Sequence, residues 1–518
     1  MRFFKKLCAA ALLLAVLAGS AIFAHGQAFD EYGRVFMPVR ATFEGMGFDV
    51  GWDDATRQVT LVRGADALAL AIEVDEFTVN GEIRSLLEPA RLIGGITFAP
   101  IRPLLHAAGY TLGENGEILP HFTLGIPAQE PLPASLEEFI PTLAIHIQRY
   151  NQLTADFWPN VANNVFLAID NRDTGQLWMI LPDGEFFLMS DAQIEALGAQ
   201  RAQFDEGWQE LTWNGLRGLY YATTEHEVTD RERIYRMVHV GTYEGIANFT
   251  HYVMHILEQP NWVISSEIYE HNSDRLEYLE ETEARAVRWL MQRQMLLALA
   301  NPGDERLLLD VAATIGRWLS EFPQDALNAL AMDRIEGTAE YFEMVASLAA
   351  AYPGQIYSRA DVDRAMSELA HWHFENATVF GVVSESYMIG AYAGMLLTRI
   401  APGWQNALIN DGRATAITLF YEHFSGIALP APVQLTEAEM LYIAEELGRQ
   451  MFSIFEAQFE LIPEWIADLP NLDAELREAY LGIIEDFLAE MEANVLPMPY
   501  SQILEDFVRE TRAILANI

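Results

Sequence analysis

EGIANFTHYVMHILEQPNW, residues 244–262, decides how the larger part of this chain is read. Glu244, Asn248, His251, His255 and Glu258 follow steps of four, three, four and three. On a helix those steps place five polar side chains on one stripe within an otherwise apolar run. Unsatisfied, such a stripe on a buried helix costs on the order of several kcal/mol. Water, other polar groups or a metal ion can satisfy it. The pair His251 and His255 presents both imidazoles on one face, as a zinc site requires. Two histidines at this spacing can equally pack and hydrogen-bond in a core.

Moving outward, zinc needs a third protein ligand. The segment DRIEGTAEYFE (333–343) offers Glu336 and Glu340, four apart on a predicted helix. Between the two segments lies LEETEARAVRWLMQRQM (279–295), a helix rich in Glu and Arg. Beyond them comes ESYMIGAYAGMLL (385–397), rich in Tyr and Gly.

With these residues in view, the region 140–400 resembles the gluzincin branch of zinc metallopeptidases. That pattern has H-E-x-x-H, an intermediate helix, and then a helix opening E-G-x-[AT]-x-Y. The resemblance implies zinc as cofactor, with His251, His255 and Glu336 as its ligands. This chain departs from the pattern at Tyr252, which occupies the position of the catalytic Glu. A phenol has a pKa of about 10 and is a poor base at neutral pH. Losing a general base costs on the order of 10²–10⁴ in rate. Glu244 and Glu258 share the histidine face and are the remote candidates to stand in. A second register, with His239 as the first histidine, puts Val240 at the base position and Tyr243 at the second histidine, which removes the site. His371 and His373 in HWHFE are two apart and point to different helix faces. The resemblance therefore implies a degenerate metallopeptidase-like domain over 138–518, a pseudoenzyme that binds a peptide or cell-wall ligand. An active zinc peptidase with an unusual base and a structural helical interaction protein of the envelope are the alternatives.

Nearer the N-terminus the chain repeats itself. RVFMPVRATFEGMGFDVGWDD (34–54) aligns with ITFAPIRPLLHAAGYTLGENG (96–116) at a constant offset of 62. Phe36, Pro38, Arg40 and Gly47 recur as Phe98, Pro100, Arg102 and Gly109. Each copy reads as a Pro-initiated short helix closed by a Gly and leading into a strand. Alternating strands lie between the copies, with Asn80-Gly81 as a hairpin turn. These features over 33–118 resemble the copper amine oxidase-like N-terminal domain, a small α+β stalk module of exported bacterial proteins. The resemblance implies surface presentation, and neither copper nor amine oxidation, since the quinone-forming tyrosine motif is missing from this chain.

Residues 119–137 contain Pro120, Pro127, Pro131 and Pro133 and read as a semi-rigid linker. The next domain opens with a helix near 136–156 and a hairpin around NRDTG, so the fold class is multidomain: a small α+β stalk, then a large mainly α-helical domain with α+β character at its start. Asp170, Asp173 and Gly175 lack the spaced acidic set of an EF-hand and read as a plain turn. The segment 437–518 reads as acidic amphipathic helices with solvated Glu pairs.

Residues 1–26 have a basic start (Arg2, Lys5, Lys6), an apolar run and small residues at Ala24 and Gly26, the pattern of a secretory signal peptide. An uncleaved membrane anchor is the alternative. Cleavage makes the protein secreted or surface-bound, and removes the only cysteine, Cys8, and the only lysines. Disulfides, a cysteine nucleophile, a Schiff-base lysine and a P-loop lysine are then excluded. The formal charge of −42 becomes −45 without those three cations, a surface that repels nucleic acid and anionic lipid.

Overall fold

The computed structural model describes residues 28–31, 34–64, 66–112, 118–120, 135–198, 207–223, 244–266, 282–352, 356, 358–375, 382–472, 474–493 and 500–515. The signal-like residues 1–26, most of the Pro-rich segment and His239 lie outside them, and so do the side chains of Glu244, His371 and His373. No helix among the described residues is long and apolar enough to cross a membrane. By contacts the chain divides into two units: one runs to Gly125 and takes in Ala298–Leu309 and Arg364–Ala370, and the other holds the rest.

The first unit carries the repeat. Strand Arg34–Pro38 leads into helix Val39–Gly45, and strand Ile96–Pro100 into helix Ile101–Ala107. The two strands pair antiparallel, with Met37 opposite Ala99. Gly47 and Gly109 end the helices with φ of 82° and 83°, a left-handed cap that a Cβ disfavours. The repeated arginine explains itself. Arg40 Nη1 donates to the Val50 carbonyl at 2.9 Å, and Arg102 Nη1 to that of Leu112 at 3.0 Å. Each thereby ties its helix to the strand that follows. Between the copies runs a five-stranded antiparallel meander from Asp49 to Ser85. Its last hairpin turns at Asn80-Gly81, both at positive φ, as a two-residue turn of this type demands. Phe43, Leu61, Leu68, Leu104 and Leu105 fill the core.

Both ends of the segment 119–137, read from its prolines as a linker, carry secondary structure. Ile118–Pro120 is a strand paired with Tyr110–Leu112. At the far end, Ser135 Oγ accepts from the Glu138 N–H and starts helix Leu136–Leu153.

In the second unit that helix precedes a five-stranded mixed sheet. Phe166–Asn171 lies at its centre, antiparallel to Leu177–Ile180 and parallel to Leu216–Thr223. Gly207–Trp213 forms one edge. At the NRDTG turn, Asn171 Oδ1 accepts the N–H groups of Asp173 and Thr174, while the buried Asp170 carboxylate accepts from Tyr220 Oη at 2.5 Å. The side-chain oxygens of Asn171 and Asp170 are thus engaged within the protein.

The helices follow. Pro323–Ala351, 29 residues long, is the spine, and it packs on Val382–Ile400, Glu244–Val253 and Leu136–Leu153. Helix Thr282–Ala300, in the stretch rich in Glu and Arg, is a core element: Arg285 and Arg288 are buried. Arg288 donates to Asp333 on the spine and to Glu385 and Ser386 on Val382–Ile400, and its guanidinium lies 4.7 Å from the Trp318 ring centroid. Arg285 pairs with Asp325 and Glu385. Two guanidiniums thus face three carboxylates out of water, an arrangement tolerable only because each charge is met by an opposite one. The last three helices, Glu437–Asp468, Ala474–Ala493 and Tyr500–Leu515, enclose a core of their own around Ile462, Ile484, Leu488 and Leu504.

Candidate metal centre

Helix Glu244–Val253 buries Ile246, Phe249 and Val253, and Leu257 continues that face. This seats the helix against the spine and turns His251 and His255 towards it. Past Val253 the backbone widens into a single π-helical turn, Met254–Glu258, before Pro260 closes it. Such turns recur at functional sites, and here the widened turn carries His255.

Three ligand atoms converge. His255 Nε2 lies 2.9 Å from His251 Nε2 and 3.1 Å from Glu336 Oε2, and His251 Nε2 lies 3.5 Å from the same oxygen. Atoms about 2.0–2.1 Å from one zinc ion at tetrahedral angles stand about 3.3–3.4 Å apart. The observed triangle brackets that length, so a point about 2 Å from all three exists just off its plane.

The far sides of the rings decide what the near sides offer. His255 Nδ1 lies 2.7 Å from Gln259 Oε1, and Gln259 donates in turn to the carbonyl of Ile335, the residue before Glu336. His251 Nδ1 lies 2.9 Å from Glu343 Oε2. Each acceptor can take a ring N–H at Nδ1, so that a neutral ring keeps Nε2 for a metal and a protonated ring donates Nε2–H to Glu336. The charge balance agrees. Burial pulls the His251 pKa down, but Glu336 and Glu343, hydrogen-bonded to it, and Glu340 nearby outweigh that and lift it to about 10. For Glu336, burial favours the neutral acid, but His251, His255 and Tyr387 hydrogen-bond its carboxylate and hold it well below the usual range. Every shift points to a site that draws positive charge. The buried Glu340 and Glu343 form with His251 a second group of ligand atoms, within 4.8 Å of one another.

The other sequence candidates are placed differently. Tyr252 lies parallel to the Trp208 ring, centroids 5.4 Å apart, and Trp208 stacks in turn on Tyr221 at 4.4 Å. Burial and the charges of Glu336 and Glu343 raise its pKa further, so the phenol keeps its proton at neutral pH. Glu258 turns away from the histidines: its Oε1 accepts the Ala162 N–H at 2.6 Å. Burial raises its pKa, against the opposing pull of that N–H and of Arg217. Reading Glu258 as a stand-in base from its place on the stripe is therefore corrected; its carboxylate caps the loop before the central strand. Glu244 carries only a backbone position, at the start of the helix.

Three partners were legible in outline only. Glu343 stands seven residues, two helical turns, beyond Glu336. Gln259 stands four beyond His255. Tyr387, in the Tyr/Gly-rich segment, lies parallel to the His251 ring at 6.1 Å and hydrogen-bonds Glu336.

Compared with known families, residues 16–118 match the family model of the copper amine oxidase N-terminal domain. Comparisons with curated proteins and with solved structures find no match. The chain thus joins a small sheet-rich N-terminal domain of that family to a mainly helical region.

Proposed function

We propose that the helical region is a divalent-metal domain of gluzincin layout, with His251, His255 and Glu336 as ligands, and that it binds a peptide or envelope ligand without hydrolysing it. The N-terminal module presents it outside the cell after export. One observation carries the reading: two imidazole Nε2 atoms and a carboxylate oxygen from two separate helical segments face one another at 2.9–3.5 Å. The donor set, two imidazoles and a carboxylate, suits zinc.

When bound, zinc supplies a Lewis acid that polarises a ligand carbonyl. The chain's own residues bind and orient. Gln259 and Glu343 fix the two imidazoles. Tyr387 holds the Glu336 carboxylate. Tyr252 is clamped on Trp208 beside both imidazoles, and its raised pKa bars it from taking a proton at neutral pH. Without a proton acceptor there, water attack on a peptide lacks its base.

The test combines two measurements on the full chain. Equilibrium dialysis against zinc should show one tight site that Glu336→Ala and His251→Ala both lose. Casein and short peptides should stay intact with zinc loaded. Unchanged zinc uptake in both variants overturns the metal site, and cleavage that a chelator abolishes overturns the binding-only role.

A further inference from the structure

A cavity of about 320 Å³ opens in the helical region at a place the metal centre does not use. Its walls come from the turn after helix Leu136–Leu153, the end of helix Val382–Ile400 and the short helix Trp404–Asn410. One wall is Arg359. In a chain with 74 acidic residues against 32 basic ones, an arginine ordinarily meets a carboxylate. Arg359 does not follow that pattern: among the described residues its polar partners are neutral. Nη1 donates to the Asp156 carbonyl at 3.1 Å and Nη2 to Tyr341 Oη at 2.9 Å. Its Nε–H is buried without an acceptor. The guanidinium is further held 5.6 Å from the Phe157 ring centroid. Asp156 also lines the cavity, but its side chain is exposed and forms no ion pair with Arg359, so the guanidinium keeps its charge for an anion.

The rest of the lining narrows the anion. Gln405, 5% exposed, and Asn406 bring two primary amides, each able to donate and accept. Gln405 Nε2 donates to the Phe157 carbonyl at 3.3 Å, which orients its amide. Pro159 and Pro402 add apolar surface beside them. A single cation balances one negative charge, where a phosphate dianion calls for more. The amides match the N–H and C=O of a peptide unit. The volume stands at the small end of ligand pockets, about 300–1,000 Å³, enough for one or two residues.

We propose that this cavity binds the carboxylate end of a short peptide, with Arg359 taking the carboxylate and Gln405 and Asn406 the adjoining amide. The site is separate from the His251 centre and does not need metal there.

Calorimetric titration of the full-length protein with dialanine and with dialanine amide tests it. Dialanine should bind, and the amide, lacking the charge, should bind on the order of ten- to a hundredfold more weakly. Arg359→Gln should weaken dialanine by a similar factor. Chelator-treated protein should bind dialanine as well as the untreated protein. No binding of dialanine, equal binding of the two compounds, or an unchanged affinity in Arg359→Gln overturns the proposal. Loss of binding on chelation overturns it too, by moving the ligand to the His251 centre. Should Arg359→Gln fail to fold, the comparison of dialanine with its amide on the unaltered chain decides.

Discussion

Gly337 and Gly390 meet backbone to backbone: a Cβ on Gly390 would stand 2.5 Å from the Gly337 Cα, and one on Gly337 would stand 2.8 Å from the Gly390 Cα. This contact lets Val382–Ile400 lie directly on the spine next to Glu336, and it brings Tyr387 within reach of that carboxylate. The Gly in E-G-T-A-E-Y is thus a packing residue in the service of the site.

Gly390→Ala should therefore wedge the two helices apart. Overpacking of this kind costs about 1–3 kcal/mol, readable as a lower urea midpoint. Zinc affinity should fall with it, because Tyr387 and Glu336 separate. An unchanged midpoint and affinity would show that the crossing is looser than described.

Gln259→Ala leaves all three ligands in place and removes only the acceptor behind His255. Loss of such an outer partner weakens metal binding by about 10–100-fold. Competition with a chromophoric chelator measures this, and the circular dichroism spectrum should not change.

Arg288→Met strands the Asp333 carboxylate in the core and leaves Glu385 with Arg285 alone. Removing one partner of a buried charged network costs about 3–5 kcal/mol, so the variant should unfold at markedly lower denaturant or accumulate poorly. Replacing Arg288, Asp333 and Glu385 together by apolar residues should recover part of that loss.

Without metal, the site should make stability depend on pH in a defined direction. The His251 pKa is raised in the folded chain to about 10, against 6.5 unperturbed. The stability this provides is full below about pH 6.5 and lost as pH rises towards 10. Glu336 is shifted downward, so its contribution is full above its unfolded pKa, about 4.3, and lost as pH falls below that. Chelated protein should thus melt highest between about pH 4.5 and 6.5 where these two groups dominate. Its midpoint should fall on the alkaline side more steeply than that of His251→Gln. Parallel alkaline limbs would contradict the assignment.

Tyr252→Glu exchanges the clamped phenol for the carboxylate of the peptidase pattern. If the scaffold is otherwise intact, zinc-loaded variant should cleave peptides in a chelator-sensitive way, and Tyr252→Phe should not. A fluorogenic peptide series reads the outcome.

How much of this was legible follows from how local each signal is. The stalk could be read nearly whole, because Pro, Arg and Gly recur at fixed offsets and each acts within its own helix and the following strand. The histidine stripe was legible from its spacing, and Glu336 from the motif around it. The fate of Glu258 was not: its acceptor role depends on Ala162, nearly a hundred residues earlier, which no periodicity reveals. The burial of Arg285 and Arg288 in the Glu/Arg-rich stretch 279–295 was not legible for the same reason, since they find their carboxylates on two other helices, Pro323–Ala351 and Val382–Ile400. The hairpin Gly207–Trp213 with Leu216–Thr223 carried a usable signal in Asn214-Gly215, both at positive φ, but its role depends on Trp208 meeting Tyr252. Pairings between distant segments are a property of the fold.

The most direct test of the central claim is the zinc absorption edge of the purified full-length protein. The account predicts a first shell of two imidazole nitrogens and carboxylate oxygen at about 2.0–2.1 Å, with the imidazole signature halved in His255→Ala. A shell of oxygens alone, or protein that retains no zinc after dialysis against it, would contradict the claim.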